Sequence, residues 1–159
     1  MVKKIFMALC LICLLFSSSA HAASYSHTEN VPNIASIRSI TYFDNGDYLI
    51  ESVPAVTSVQ RGYVTGHIDY IYRSSNGVIQ WTATLTGSFT YNGSSATCTA
   101  SSCVTSVQSG NWSETYNHAY TSGNTAQADI TMVRKVLFIT VQTETAHLTL
   151  TCDANGNLS

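Results

Sequence analysis

The segment from Trp81 to Tyr91 restricts the possible folds of this chain more than any other. Its odd positions are apolar or glycine, and its even positions are all Thr or Ser. Alternation with a period of two is typical of a β-strand that buries one face and leaves the other in water. A helix would spread the same apolar residues around its circumference. The segment therefore predicts an antiparallel sheet with one solvated face.

Turn signals recur along the rest of the chain at Asn45-Gly46, Asn76-Gly77 and Asn92-Gly93. Asn-Gly accepts the positive φ angles of a tight hairpin turn, so each pair predicts a hairpin. No stretch after the leader has a helical period. About eight or nine strands are predicted, which indicates an all-β fold, an antiparallel β-sandwich or alternatively a barrel. The predicted strands are Ser39–Phe43, Tyr48–Val53, Tyr63–Arg73, Trp81–Tyr91, Ser95–Thr99, Val104–Gln108, Trp112–Tyr120, a strand containing Ala126–Met132, and Leu137–Cys152.

The last predicted strand changes its phase. Its apolar residues lie at odd positions from Leu137 to Val141 and at even positions from Ala146 to Cys152. A shift of one residue exchanges the two faces of a strand, so a bulge or bend is predicted near residues 142–145.

The N-terminus has the layout of a secretory signal peptide. Lys3 and Lys4 precede the apolar run Ile5–Phe16, and Ala20-His21-Ala22 offers a small-x-small cleavage site. The run is shorter than the ~20 residues that a membrane-spanning helix needs. We therefore expect a cleaved signal helix and no membrane span after cleavage. The mature protein would be secreted or held in the cell envelope.

These boundaries give a predicted domain organisation. Residues 1–22 form the signal peptide. Residues 23–36, which are polar and contain Pro32, form a flexible lead-in. Residues 37–159 form a single antiparallel β domain.

The net charge argues against some partners. Loss of Lys3 and Lys4 with the leader leaves five Lys and Arg residues against nine Asp and Glu residues. A mildly acidic chain lacks the basic patch that usually contacts nucleic acid. The same net charge argues against an electrostatic hold on anionic lipid. The partners that remain are an unknown protein or a cell-wall glycan.

Three cysteines follow the leader, namely Cys98, Cys103 and Cys152. In an oxidising compartment two of them are expected to pair, which leaves one thiol over. A local bridge between Cys98 and Cys103 and a long-range bridge to Cys152 are both open to the chain. A long-range bridge would stabilise the fold by ~4 kcal/mol in the loop-entropy account.

Two stretches resemble a group of short, exported bacterial proteins of unknown function. They are Trp81 to Ser102 (WTATLTGSFTYNGSSATCTASS) and Leu148 to Ser159 (LTLTCDANGNLS). The resemblance implies a bacterial source and a disulfide between Cys98 and Cys152, with Cys103 as the additional thiol. The group has no assigned activity, so the resemblance brings no catalytic residue to this chain.

The best candidate for a ligand site is the strand at Trp112–Tyr120. Its even positions combine aromatic rings with two polar side chains that a core face rarely accepts, so this face is expected to be exposed or at a cleft. Flat rings on a sheet can stack against sugar rings. The predicted ligand face consists of Trp112, Glu114, Tyr116, His118 and Tyr120.

Catalytic, metal and cofactor residues are not predicted. His67 and Asp69, together with Glu114 and His118, would suit zinc only if their strands were neighbours. No nucleophile elbow or carboxylate pair stands out, which disfavours an enzyme. The sequence therefore favours surface recognition or a structural role at the cell envelope or outside the cell. The alternative is a carbohydrate- or cell-wall-binding module that uses the predicted ligand face, and a hydrolase comes third.

Overall fold

The structure, a computed structural model, describes residues 37–159, and within them every regular element is a β-strand. The strands form two antiparallel sheets that pack face to face and do not close into a barrel. The prediction of an all-β sandwich of eight or nine strands is confirmed, and the strands number nine. The predicted signal peptide and lead-in, residues 1–22 and 23–36, lie outside the described residues.

The large sheet has six strands and the small sheet has three. In the large sheet the order is β1-β2-β4-β5-β6, and β3 also pairs with β4; in the small sheet it is β7-β8-β9. The strands are β1 (Ile37–Tyr42), β2 (Tyr48–Ser52), β3 (Ala55–Gln60), β4 (Tyr63–Arg73), β5 (Ile79–Tyr91), β6 (Ala96–Val107), β7 (Trp112–Ser122), β8 (Thr125–Val136) and β9 (Ile139–Thr151).

Two differences from the predicted strands have simple causes. Pro54 ends β2 because it has no N–H to donate to the ladder. The chain then forms β3, a strand that was not predicted from the sequence, and β3 pairs with the first half of β4. The two short strands predicted on either side of Ser101 are one strand, β6. Ser88 pairs with Ala100 and Phe89 pairs with Cys98, so Thr99 is an extra residue that forms a bulge in β6. The bulge lets both halves of β6 pair with β5.

The core lies between the sheets. The large sheet contributes the even positions of β4 and the odd positions of β5, and the small sheet contributes the even positions of β8. Tyr72 stacks on Trp81 with ring centroids 5.0 Å apart, and Trp112 of β7 meets Tyr72 edge-on at 5.3 Å. Offset and edge-on ring pairs of this kind add to the stabilisation that burial alone provides.

The two sheets approach each other closely at Gly87 of β5. A Cβ atom at this position would lie 2.6 Å from the ring of Phe89 and 2.8 Å from the Cβ of Ala126 in the small sheet. Both distances are shorter than van der Waals contact, so only glycine lets Ala126 and Phe89 pack as they do.

The predicted phase change in the last strand is present. Lys135 pairs with Thr140 and Arg134 pairs with Gln142, so Val141 is an extra residue in β9. The bulge lies one residue before the predicted segment. Beyond it Leu148 and Leu150 face the core, whereas Leu137, Ile139 and Val141 are exposed.

Gly87→Ala tests the close approach of the sheets. We expect it to lower the free energy of unfolding by about 1–3 kcal/mol, because the added methyl group overpacks a filled core. Gly110→Ala is the matched control, since open space surrounds that Cβ position, and it should stay within ~0.5 kcal/mol of the parent. Chemical denaturation measures both. Equal stability of the two variants would contradict the packing described.

Candidate functional site

A bulge near the start of β7 decides which side chains this strand exposes. Glu114 pairs with Met132 and Tyr116 pairs with Thr131, so Thr115 is an extra residue in β7. One extra residue exchanges the two faces of a strand for all the residues that follow. Even positions therefore face the large sheet before Thr115 and face outward after it.

The bulge divides the predicted ligand face, and the prediction of a single face over these five residues is wrong. Trp112 is buried in the aromatic stack of the core. Glu114 lies on the inner side, where its Oε2 accepts hydrogen bonds from Thr105 Oγ1 at 2.5 Å and Asn117 Nδ2 at 3.0 Å. The even-odd pattern suggested one face because it assumes regular pairing, which the extra residue at Thr115 breaks.

Three of the five residues do lie together on the outer face of the small sheet. Tyr116, His118 and Tyr120 form a continuous row, which we call the aromatic ladder. The ring centroids of Tyr116 and His118 are 6.3 Å apart, and those of His118 and Tyr120 are 5.3 Å apart with an interplanar angle of 22°. The Tyr116 side chain is 51% exposed. The ladder thus presents ring faces and edges to solvent.

A polar row crosses the ladder at His118. Asp129 of β8 pairs with His118 on one side and with His147 of β9 on the other. His147 Nδ1 and Asp129 Oδ1 are 2.6 Å apart. The hydrogen bond from His147 holds the pKa of the Asp129 carboxyl below its usual range, and a hydrogen bond from Tyr120 acts in the same direction. Partial burial and the charge of Asp129 raise the pKa of Tyr120.

Sequence reasoning did not identify Asp129 and His147 as site residues. The signal was present in β8, since Ala126, Ala128 and Ile130 face inward and their odd neighbours must face outward. His147 could be placed beside Asp129 only with the register of β9, which the bulge at Val141 sets.

The rest of this outer face is polar. Outward positions beside the ladder carry hydroxyl and amide side chains, which can donate and accept hydrogen bonds. They are Gln127, Thr131, Thr145 and Thr149. The whole face therefore combines exposed rings with hydrogen-bonding groups on a sheet of three strands.

Two of the clefts in the described part of the molecule lie away from the ladder. One of about 580 Å³ is lined by residues that include Arg61, Tyr91 and Asn155. The other, of about 400 Å³, is lined by Asp47, Trp112 and other residues. Asp47 already accepts hydrogen bonds from the Ser75 N–H, the Tyr72 hydroxyl and the Asn45 amide. This carboxylate thus joins two turns to the core, and neither cleft includes the ladder.

The residues considered for zinc do not come together. His67 and Asp69 lie on β4, with His67 Nε2 and Asp69 Oδ2 3.8 Å apart, whereas Glu114 and His118 lie on β7 in the other sheet. Glu114 and His118 also point to opposite sides of their own strand. Across residues 37–159, no group of three or more His, Cys, Asp or Glu side chains is placed to hold a metal ion.

All three cysteines of the described chain are free thiols. Cys98 and Cys152 are buried. Their backbone N–H groups donate hydrogen bonds to the carbonyl oxygens of Gly123 and Asn124, which are adjacent in one turn. Cys103 is partly buried, and its pKa is raised to about 11, chiefly by burial. Cys103 lies five residue steps after Cys98 along an extended strand, which places them roughly 15 Å apart. A disulfide requires Cα atoms within about 7 Å, so the local bridge does not fit β6.

Comparison of the chain with protein-family models, with curated proteins and with solved structures found no match. In the part of the chain that the structure describes, no helix is long and apolar enough to cross a membrane.

The contact between Asp129 and His147 gives a testable pKa prediction. Because the pKa of Asp129 is depressed in the folded protein, its ionised form adds stability above the unfolded pKa. That contribution is lost as the pH falls through the folded pKa. In His147→Ala, we expect the pKa of Asp129 to rise toward the usual aspartate range, as measured by carboxyl-carbon NMR titration. His67→Ala is the control and should leave Asp129 unchanged. An unchanged pKa in His147→Ala would contradict the contact.

Proposed function

We propose that this protein acts by surface recognition outside the cytoplasm and that it binds a polysaccharide, such as a cell-wall glycan, through the outer face of the small sheet. The observation that carries the proposal is the aromatic ladder. Three rings follow one another along a strand on a solvated face, where side chains such as Thr are sufficient for folding.

The chemistry of the ladder suits a sugar ligand. An aromatic ring offers an apolar face to the C–H groups of a pyranose ring, and Tyr and His add polar atoms at the ring edge. The hydroxyl group of Thr131 and the amide group of Gln127 lie beside the rings, Thr145 lies one strand further, and all three can meet sugar hydroxyl groups. A ladder along a strand also matches an extended chain ligand better than a compact one.

The geometry gives less support to a hydrolase. The two β7 residues that could act together in hydrolysis, Glu114 and His118, lie on opposite faces of the strand. Glu114 is engaged by Thr105 and Asn117 on the inner side. Recognition through exposed rings requires no such pair.

We also propose that the protein is exported by its N-terminal signal peptide and is of bacterial origin. The support is the sequence layout of residues 1–22 and the resemblance carried by the two motifs. Secretion or residence in the cell envelope would place the ladder in contact with wall polysaccharide.

Export would allow Cys98 and Cys152 to form a disulfide. The burial of both residues and their contacts with one turn support this pairing. In this step the two thiols lose two protons and two electrons, and an S–S bond forms between their Sγ atoms. The electrons pass to the disulfide of an envelope dithiol oxidase, which is reduced to a dithiol. Cys103 would remain a partly buried thiol.

A pull-down of residues 23–159 on insoluble cell-wall and polysaccharide preparations tests the ligand class. We expect saturable binding that Tyr116→Ala and Tyr120→Ala each weaken by about tenfold or more, as removal of an aromatic hot-spot residue does. Tyr42→Ala is the matched control because Tyr42 is 72% exposed on the large sheet, and it should bind as the parent does.

Two outcomes would contradict this proposal. One is the absence of saturable binding to every preparation, which would redirect the search to protein partners. The other is equal weakening by Tyr42→Ala, which would show that the ladder is not the binding surface.

The disulfide proposal predicts a distinct pattern in the protein recovered after export. Its mass should be lower by two hydrogen atoms than that of the reduced chain, and one peptide should link Cys98 to Cys152. Cys98→Ser should lower the free energy of unfolding by about 4 kcal/mol. Cys103→Ser is the control and should change it little. Recovery of three alkylatable thiols after denaturation would exclude the bridge.

A further inference from the structure

The turn between β8 and β9 exposes apolar side chains to an unusual degree. Val136 pairs with Ile139, so Leu137 and Phe138 form a two-residue turn. Leu137 is 85% exposed and Phe138 is 98% exposed. We call residues 136–139 the hairpin tip. A contiguous exposed apolar surface of this kind marks a contact with another protein or a membrane.

The backbone of the tip makes its residue types costly for folding. Leu137 has φ 49° and Phe138 has φ 69°, both in the left-handed region. Elsewhere in residues 37–159, every residue with positive φ is a glycine. Asn-Gly would suit this turn better, because it adopts such angles with little strain. Leu and Phe at these positions oppose stability through both strain and exposure, which indicates that they serve a contact outside the chain.

The charged residues nearest the tip in the sequence are of one sign. Arg134 and Lys135 immediately precede it, and no Asp or Glu occurs from residue 130 to residue 143. Lys135 is exposed. Neither basic residue takes part in the ion pairs found within residues 37–159. Two of the five basic residues that follow the leader therefore lie beside an apolar projection.

We propose that the hairpin tip is an anchor for an anionic phospholipid surface, with Leu137 and Phe138 inserted among the acyl chains and Lys135 and Arg134 at the phosphate level. A bilayer accepts a convex apolar wedge without a complementary pocket, and anionic headgroups attract adjacent basic side chains. The negative net charge that argues against lipid binding is an average over the whole chain. The charge at the tip is locally positive.

This anchor would orient the outer face of the small sheet. Trp112, which begins β7, pairs with Arg134 near the tip, and the ladder runs from Tyr116 to Tyr120 away from that end. With the tip inserted, the ladder would point away from the bilayer. The anchor and the ladder use different residues, so either can fail in experiment without the other.

The test uses sedimentation of residues 23–159 with vesicles of phosphatidylglycerol and phosphatidylethanolamine and with vesicles of phosphatidylcholine alone. We expect binding to the anionic vesicles. The double variant Leu137→Asn, Phe138→Gly removes the wedge and supplies a better turn. It should reduce vesicle partitioning at least tenfold with a thermal stability equal to or above that of the parent.

Two further variants sharpen the result. Lys135→Gln should reduce the preference for anionic vesicles, and Val104→Thr, which changes an exposed apolar residue on the large sheet, should bind as the parent does. Polysaccharide capture should be unchanged in the double variant. Absence of parent binding, or equal binding by the double variant, would overturn the proposal. A dimer that the double variant dissociates, with no vesicle binding, would overturn it in favour of contact between two copies.

Discussion

The packing of β8 against the large sheet governs most of the remaining arrangement. β8 is the central strand of the small sheet, and its even positions pack on Gly87 and the side chains around it. Once Ala126 and Ile130 face inward, Asp129 between them must face outward. Residues that are paired across neighbouring strands lie on the same face of the sheet. The orientation of β8 therefore determines which residues of β7 and β9 face outward. The outer face of the small sheet is therefore a consequence of core packing in β8.

Two bulges adapt the neighbouring strands to that phase. Thr115 turns Tyr116, His118 and Tyr120 outward while Trp112 remains in the aromatic stack of the core. Val141 is the extra residue in β9, and it separates the exposed beginning of that strand from its buried end. In each strand, one extra residue changes which side chains face the core. The ladder depends on the bulge at Thr115.

Much of the fold follows from patterns that are local in sequence. The alternation in Trp81–Tyr91 and the Asn-Gly pairs predict strands and hairpins that the structure contains. The composition of the outer face could not be predicted from the sequence, because counting residues along β7 cannot reveal that Thr115 is unpaired. The contact of Asp129 with His147 depends on register between strands. The Leu137-Phe138 turn carries no typical turn residue, so the last strand was predicted to begin at Leu137 and this turn was missed.

Glycan binding by the aromatic ladder can be tested by mapping the ligand contact on the folded protein. Soluble cell-wall glycan fragments would be titrated into isotope-labelled protein, and the Tyr and His ring resonances followed by NMR. We expect saturable shifts confined to Tyr116, His118, Tyr120, His147 and their neighbours. Shifts centred on the cleft at Arg61 and Tyr91, with the ladder resonances unmoved, would contradict it.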